Sequence, residues 1–360
     1  MKKKRVVAAM SGGVDSSVAA ALLLERGYDV VGVTMNLFSL PKEYCRDKTV
    51  KSCCGWGAAE DAQHVAVKLG ISHYVVDMRE EFEKMVISNF CAEYERGRTP
   101  NPCIRCNESI KFDDLMKRAD KLNADYIATG HHAHIVYDPE KKRYLLKKGK
   151  DRDKDQSYFL YTLTQRQLAR TLMPIGPFTK KDIRKKAENL GLPVAQSPES
   201  QEICFVPDND YSRFLEEKIP QAFRPGPIVD MRGKLLGHHK GIIHFTVGQR
   251  RGMGIAASHP LYVLKIDAES NTVVAGPDQL LYRREFVASR LNIISQPALD
   301  KTVRVKAKIR YKHKEAEAVL KQDGKDRVRV LFIKPQRAIT PGQAVVFYDG
   351  ETVVGGGIID

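Results

Sequence analysis

The sequence predicts an α/β domain built on a mainly parallel sheet, followed by small all-β modules. Three observations predict it. Over roughly the first 200 residues, short apolar runs alternate with Ala- and Leu-rich stretches of helical length, as strands joined through helices do. Beyond Arg224-Pro225-Gly226-Pro227 the runs are short, β-like and broken by Gly. The length of 360 residues accommodates two or three domains, at about 100–200 residues each.

In chain order, residues 5–10 read as a buried strand and Ser11 to Ser17 as a turn. Val18 to Arg26 is a helix closed by Gly27, and Val30 to Met35 a second strand. Ala58 to Leu69 is a helix stopped by Gly70, followed by a strand at His73–Val76. Ile110 to Leu122 is helical, Tyr126–Thr129 is another strand, and Lys180–Leu190 is a late helix. The β-like runs are Ile228-Val229, Ile242–Phe245, Leu261–Leu264 and Thr272–Val274. A final block holds Val303–Ile309, Ala316–Leu320, Val328–Ile333 and Ala344–Tyr348. There is no internal repeat and no low-complexity linker.

The chain carries 59 Lys and Arg against 44 Asp and Glu, a formal net charge of +15. Such an excess points to an anionic partner. Residues 282–341 hold 16 Lys/Arg against 6 Asp/Glu, and residues 141–154 hold 8 against 2. A hydrophobic fraction of 42% beside a charged fraction of 29% argues against a disordered chain. No window approaches about 18 consecutive apolar residues, so no membrane span is expected. The basic start gives way to an apolar run that stops at Ser11-Gly12-Gly13, too short for a secretory leader. The expected compartment is the cytoplasm. Seven cysteines, an odd number, then favour free thiols, metal ligands or catalysis over structural disulfides.

Ser11-Gly12-Gly13-Val14-Asp15-Ser16-Ser17 lies between a strand and a helix. Two adjacent glycines let several backbone N–H groups turn toward one point, and a helix N-terminus adds partial positive charge. Ser11, Ser16 and Ser17 offer hydroxyls. The product is a cradle for pyrophosphate, with Asp15 turned toward a Mg2+ bridging the phosphates. No Walker A string and no Rossmann fingerprint occurs. The string resembles the signature of the PP-loop ATP pyrophosphatases, which cleave ATP between the α and β phosphates. Gly130, in Ala128-Thr129-Gly130-His131-His132-Ala133, sits at a strand end where a nucleotide could approach the backbone. His131, His132 and His134 lack the spacing to Cys or carboxylate that a metal site needs. Met35 sits where an adenine would lie in a doubly wound sheet, and core packing is the competing reading.

Asn101-Pro102-Cys103-Ile104-Arg105-Cys106-Asn107 is a Pro-rich loop leading into a helix. Arg105 and the helix start would both favour a Cys106 thiolate. Cys204 follows about a hundred residues later. Inert thiols, a persulfide carrier with a resolving thiol, and three corners of a 4Fe-4S cluster on Cys103, Cys106 and Cys204 all remain open. Zinc or redox chemistry at the C-x-x-C pair is a further option. Cys45, Cys53 and Cys54 read as structural or incidental, and Cys91 as a buried helix residue.

Together these segments resemble the bacterial tRNA-specific 2-thiouridylase family. The landmarks are Met10–Ser17, Gly97–Phe112, Ala128–His134, Lys154–Phe159, Ser200–Phe205, Phe245–Gly254, Arg310-Tyr311 and Pro335–Phe347. The resemblance implies an N-terminal PP-loop (adenine nucleotide alpha hydrolase-like) domain at 1–205, a central β domain at 206–280 and a C-terminal tRNA-contacting β-barrel at 281–360. It implies 2-thiolation of wobble uridine 34 in tRNAs for Lys, Glu and Gln. ATP would be bound by Ala9, Met10, Ser11, Gly12, Gly13, Val14, Asp15, Ser16, Met35 and Gly130. Cys106 would be the nucleophile and Cys204 the persulfide carrier, with Asp15 also catalytic. Asn101, Pro102 and Cys103 would lie beside the target base. His131, Lys154, Asp155, Gln156, Arg310, Tyr311 and Gln343 would contact tRNA. A persulfide donor, either a cysteine desulfurase or a relay protein, would supply sulfur to a monomer. Many members have Asp where this chain has Cys103, and that difference keeps the cluster reading in play.

Overall fold

The computed structural model describes residues 3–39, 56–198, 203–206, 208–299 and 302–360. Cys45, Cys53 and Cys54 lie outside the described residues, as do Ser200, Gln201 and Glu202 of the segment before Cys204. The chain divides into two compact units. The first holds Met1–Val86, Cys103–Asn209 and Glu351–Val353, and the second holds Ile87–Pro102, Asp210–Gly350 and Val354–Asp360.

The first unit is built on β1 (Arg5–Ala9), β2 (Asp29–Asn36), β3 (Ser72–Asp77) and β4 (Tyr126–Ala128). A hairpin follows, β5 (Ala133–Asp138) and β6 (Arg143–Lys148), and then β7 (Thr171–Leu172). The main sheet runs β3-β2-β1-β4-β7, with every pairing parallel. Val6 and Val7 point to opposite faces of β1, yet both are fully buried. Parallel strands covered on both faces read as continuous apolar runs for this reason. Helices Val14–Glu25 and Lys180–Asn189 bury Val18, Leu22, Ile183 and Ala187 in one core with Val6 and Ala8. Because β1 pairs with β2 on one side and β4 on the other, a crevice opens beyond the carboxyl ends of β1 and β4. Ligands of doubly wound sheets bind at such a reversal.

The second unit contains helix Ser88–Glu95, in which Cys91 is buried as expected. Phe90 and Tyr94 of this helix meet Phe214 and Tyr211 edge-on and stacked, with ring centroids 6.2 and 5.7 Å apart. A four-stranded sheet follows: β8 (Gly226–Val229), β9 (Leu235–His239), β10 (Tyr262–Asp267) and β11 (Thr272–Gly276). Ile242–Phe245, expected to be β-like, instead carries a 3-10 turn at Ile242–His244.

Strands β12 (Tyr282–Ile293), β13 (Val303–Lys308), β14 (Ala316–Gln322), β15 (Val328–Arg337), β16 (Ala344–Asp349) and β17 (Thr352–Ile359) complete the chain. They form a six-stranded barrel in the order β12-β15-β14-β13-β16-β17, closed by pairing of β12 with β17. Alternation supplies its interior: Val328, Val330 and Phe332 are buried while Arg329, Leu331 and Ile333 are exposed. Arg304 and Lys306 of β13 likewise face outward, so the basic excess of this segment includes residues on the barrel exterior. Among the described residues, no helix is long and apolar enough to cross a membrane.

Phe347 is fully buried in the barrel core. Phe347→Ala is expected to cost about 3–5 kcal/mol, read by chemical denaturation of the second unit. A cost under about 1 kcal/mol would contradict this packing.

Candidate active site

Strand β1 ends at Ala9 and delivers Met10 to Gly13 into the crevice, where Val14 begins a helix four residues earlier than the sequence suggests. Thr34 of β2 donates to the Met10 carbonyl at 2.7 Å, and the Met10 amide donates to the Val33 carbonyl at 2.9 Å. Gly12 has φ +68°, and a Cβ there would lie 2.5 Å from the Ala58 carbonyl oxygen. Only glycine meets both demands without displacing backbone. Gly130 meets the loop from the end of β4: a Cβ on it would come within 2.6 Å of the Ser16 nitrogen.

The three serines do different work from the open donors expected. Ser16 and Ser17 each donate to the Gly13 carbonyl, at 3.0 and 2.9 Å. Ser16 Oγ also accepts from the Ser11 amide at 3.1 Å. Their hydroxyls brace the turn, and the anion-binding capacity rests on the helix N-terminus. Met35 is buried at the end of β2, paired in register with Val76.

Asp15 stands in the first turn of that helix. Both its carboxylate oxygens accept from Lys180 Nζ, at 2.8 and 2.7 Å. His132 Nε2 lies 3.3 Å from Asp15 Oδ1, but neither ring nitrogen has an aligned hydrogen-bond partner. Burial pulls the Asp15 carboxyl up; the nearby His132 and the Lys180 charge outweigh it and hold the group below its ordinary value.

The neighbouring polar groups of the first unit turn inward. His131 is buried, bonded through Nδ1 to Thr129 Oγ1 at 2.8 Å and stacked on Phe112. Burial, and then the charge of Lys111, keep it well below the ordinary histidine value and hence neutral. Asp155 is buried and accepts from the Gly149 amide and from the Ser157 amide and hydroxyl. Gln156 Oε1 accepts from the His132 amide at 2.9 Å. The resemblance assigns His131, Asp155 and Gln156 to tRNA; these bonds make them braces of the loop behind the cradle. Lys154 is partly exposed beside them.

Helix begins at Pro102, eight residues before the predicted Ile110, and passes through a π segment at Asn107–Asp114. Cys106 is thus the fifth helical residue, beyond the first turn where the N-terminal charge acts. Arg105 is engaged by Glu108 at 2.7 Å and by the Met85 carbonyl at 3.3 Å. Both local reasons for a Cys106 thiolate are therefore weaker than the sequence implies. Cys106 is buried, Cys103 exposed and Cys204 intermediate, and all three are free thiols. Asn107 donates to the Phe159 carbonyl at 3.2 Å, while its Oδ1 is buried without a partner. Among the described residues, no three His, Cys, Asp or Glu side chains are grouped to hold a metal ion. Cys103, Cys106 and Cys204 do not fit as three corners of a cluster.

In the second unit, the barrel holds the segment that precedes the cysteine loop. The Thr99 amide donates to the Pro341 carbonyl at 2.9 Å, and Gln343 Nε2 donates to the Thr99 carbonyl at 2.9 Å. Gly342, at φ +88°, keeps open the space that a Cβ would take 2.9 Å from the Thr99 nitrogen. Gln343, assigned to tRNA by resemblance, is thus a clamp on the Thr99 backbone. Asn101 and Pro102 follow directly. Arg310 donates to the Arg337 carbonyl at 3.2 Å, and Lys308 Nζ lies 5.6 Å from the centre of the Tyr311 ring.

Three family models cover most of the chain. They are the tRNA methyl transferase HUP domain at residues 4–208, the tRNA methyl transferase PRC-barrel domain at 212–277 and the Aminomethyltransferase beta-barrel domain at 283–359. The tRNA-specific 2-thiouridylase MnmA of Acetivibrio thermocellus is 56% identical, covering 100% of both chains. The tRNA-specific 2-thiouridylase MnmA 1 of Caldanaerobacter subterraneus subsp. tengcongensis is 53% identical over 99% of this chain and 98% of that one. The chain belongs to the tRNA-specific 2-thiouridylase family. A solved 4-thiouridine synthetase–RNA complex with bound ATP covers 61% of this chain and 51% of its own, at 21% identity and a TM-score of 0.38, too distant to bear on function.

Within this 2-thiouridylase family chain, Lys180 is the site residue that sequence reading missed. A lysine opening an amphipathic helix reads as surface, and the signal that could have singled it out is the preceding capping Thr179 with Asp182, which fixes where the helix starts. The Asp15 contact has a pH signature. A carboxyl held below its ordinary value of 3.8 stabilises the fold in full above that value, and the contribution vanishes as pH falls through the lower folded value. Asp15→Asn is expected to be less stable than the parent by a constant amount near neutrality, with the gap closing in the acid limb. Equal stability of the two proteins at neutral pH would contradict the assignment.

Proposed function

We propose that the protein is an ATP-dependent tRNA uridine 2-sulfurtransferase acting in the cytoplasm as a monomer on wobble uridine 34 of tRNAs for Lys, Glu and Gln. The observation that carries the reading is the Gly12–Ser17 loop, braced by its own serines and met by the backbone of Gly130 at the β1–β4 crevice. That geometry suits a polyphosphate. Ala9 to Ser16, Met35 and Gly130 would line the ATP site. Family membership supports tRNA as the substrate, and the basic barrel exterior suits phosphate contacts, which supply much of the affinity for nucleic acid. Lys154, Arg310 and Tyr311 are partly exposed and suited to this role.

The uracil C2 oxygen is a poor leaving group. In this scheme it attacks the α-phosphorus of ATP, and pyrophosphate leaves. The terminal sulfur of a Cys204 persulfide then attacks C2, and the C2–O bond breaks with AMP departing. The Cys106 thiolate next attacks Cys204 Sγ, so the S–S bond breaks, sulfur stays on C2 and a Cys106–Cys204 disulfide forms. A thiol reductant restores both thiols, and a cysteine desulfurase or relay protein reloads Cys204. Asp15 is the carboxylate of the cradle and would hold a Mg2+ carried in with ATP, the phosphate oxygens completing its shell. That ion would offset charge on the departing pyrophosphate. No step is routed through an iron–sulfur cluster, because the cysteines do not fit one.

Cys106→Ala and Cys204→Ala are each expected to abolish 2-thiouridine formation, read by nucleoside mass spectrometry, while tRNA-dependent pyrophosphate release persists. Full thiolation by either variant would remove that cysteine from the scheme. Absence of tRNA-dependent pyrophosphate release in the parent would overturn the activity itself.

A further inference from the structure

The site contains a lysine whose burial the fold does not require. Lys180 is only 8% exposed, which is rare for lysine unless its charge is paired. Its partner is Asp15, in the mouth of an anion cradle. The helix that carries Lys180 is secured by other means. Thr179 and Asp182 form a reciprocal capping box, and the Lys180 amide donates to Asp151 at 2.9 Å. Ile183 and Ala187 seat the helix in the core. Desolvating an ammonium and a carboxylate is costly and is a weak way to stabilise a fold. His132 adds a second, independent sign of a ligand site. Its side chain is 3% exposed, and it stands beside Asp15 with both ring nitrogens lacking a partner.

Resting on the reading of this crevice as an ATP site, we propose that Lys180 is a phosphate-binding residue, held ready by Asp15, whose ammonium passes to the β- and γ-phosphate oxygens of ATP. The carboxylate and the phosphates are both anionic acceptors, so the ammonium exchanges one for the other without changing its protonation. When the bond between the α-phosphorus and the bridging oxygen breaks, the electron pair leaves on pyrophosphate. Lys180 meets that charge and gives up no proton. Asp15 has a second role here: it keeps the cradle from being strongly positive before nucleotide arrives.

The test is calorimetric binding of ATP and AMP to the full chain and to three variants. Lys180→Met is expected to weaken ATP binding about 30-fold, as loss of a charge-assisted contact does. AMP, which lacks the β and γ phosphates, should bind within about twofold of the parent. Lys180→Arg should recover most of the ATP affinity. Asp15→Asn/Lys180→Met carries no unpaired buried carboxylate, so it keeps the test usable if the single variant fails to fold. Compared with Asp15→Asn alone, it should still bind ATP about tenfold more weakly. Equal ATP affinity of those two proteins would overturn the proposal and leave Lys180 as a neutraliser of Asp15. An equal loss of ATP and AMP affinity in Lys180→Met would also overturn it. A parent chain that binds no ATP would fail the reading of the site as well, which separates the two cases.

Discussion

A carboxylate in the mouth of an anion cradle has to be neutralised where it stands, and the contact between Asp15 and Lys180 does so. The first unit is arranged around the convergence that makes this contact. The loop after β1 supplies Asp15, the end of β4 supplies Gly130 and His132, and the Lys180–Asn189 helix brings the ammonium. A parallel sheet places such pieces at its carboxyl edge, because each strand must hand over to a helix there. Strand β1 is central and buried on both faces, so the loop that follows it has little freedom to shift.

The second unit depends on a different constraint. Its barrel closes because β12 pairs with β17, and the closed wall presents Gly342 and Gln343 to the backbone of Thr99. A barrel that looks from its charge like a docking surface therefore also holds the approach to the cysteine loop. Arg304 and Lys306 on its exterior suit an RNA backbone, while residues of the same domain assigned by resemblance to tRNA are partly committed to the protein. Charge on the surface and hydrogen bonds within divide the work of docking and positioning.

The features legible in the sequence were those written in local spacing. Gly12-Gly13 before an Ala/Leu-rich helix announced the cradle, and the alternation of Val328, Val330 and Phe332 announced a barrel strand. Features set by long-range contacts were not legible. Lys180 lies 165 residues from Asp15. The burial of His131 and Asp155, which turns them from RNA contacts into braces, depends on Phe112, Gly149 and Ser157. Strand β17 carries Gly355-Gly356-Gly357 and reads as a loop, and pairing with β12 overrides that local preference. The π segment after Cys106 has no simple residue signature, so Ile110–Leu122 read as an ordinary helix.

The central claim is that the crevice turns the uracil C2 oxygen into a leaving group. The most direct measurement uses a tRNA anticodon stem-loop carrying oxygen-18 at C2 of the wobble uridine, incubated with the protein, ATP and a persulfide donor. The account predicts that the label leaves with the nucleotide and appears in the phosphoryl group of AMP, one atom for each 2-thiouridine formed. Formation of 2-thiouridine with unlabelled AMP would contradict it.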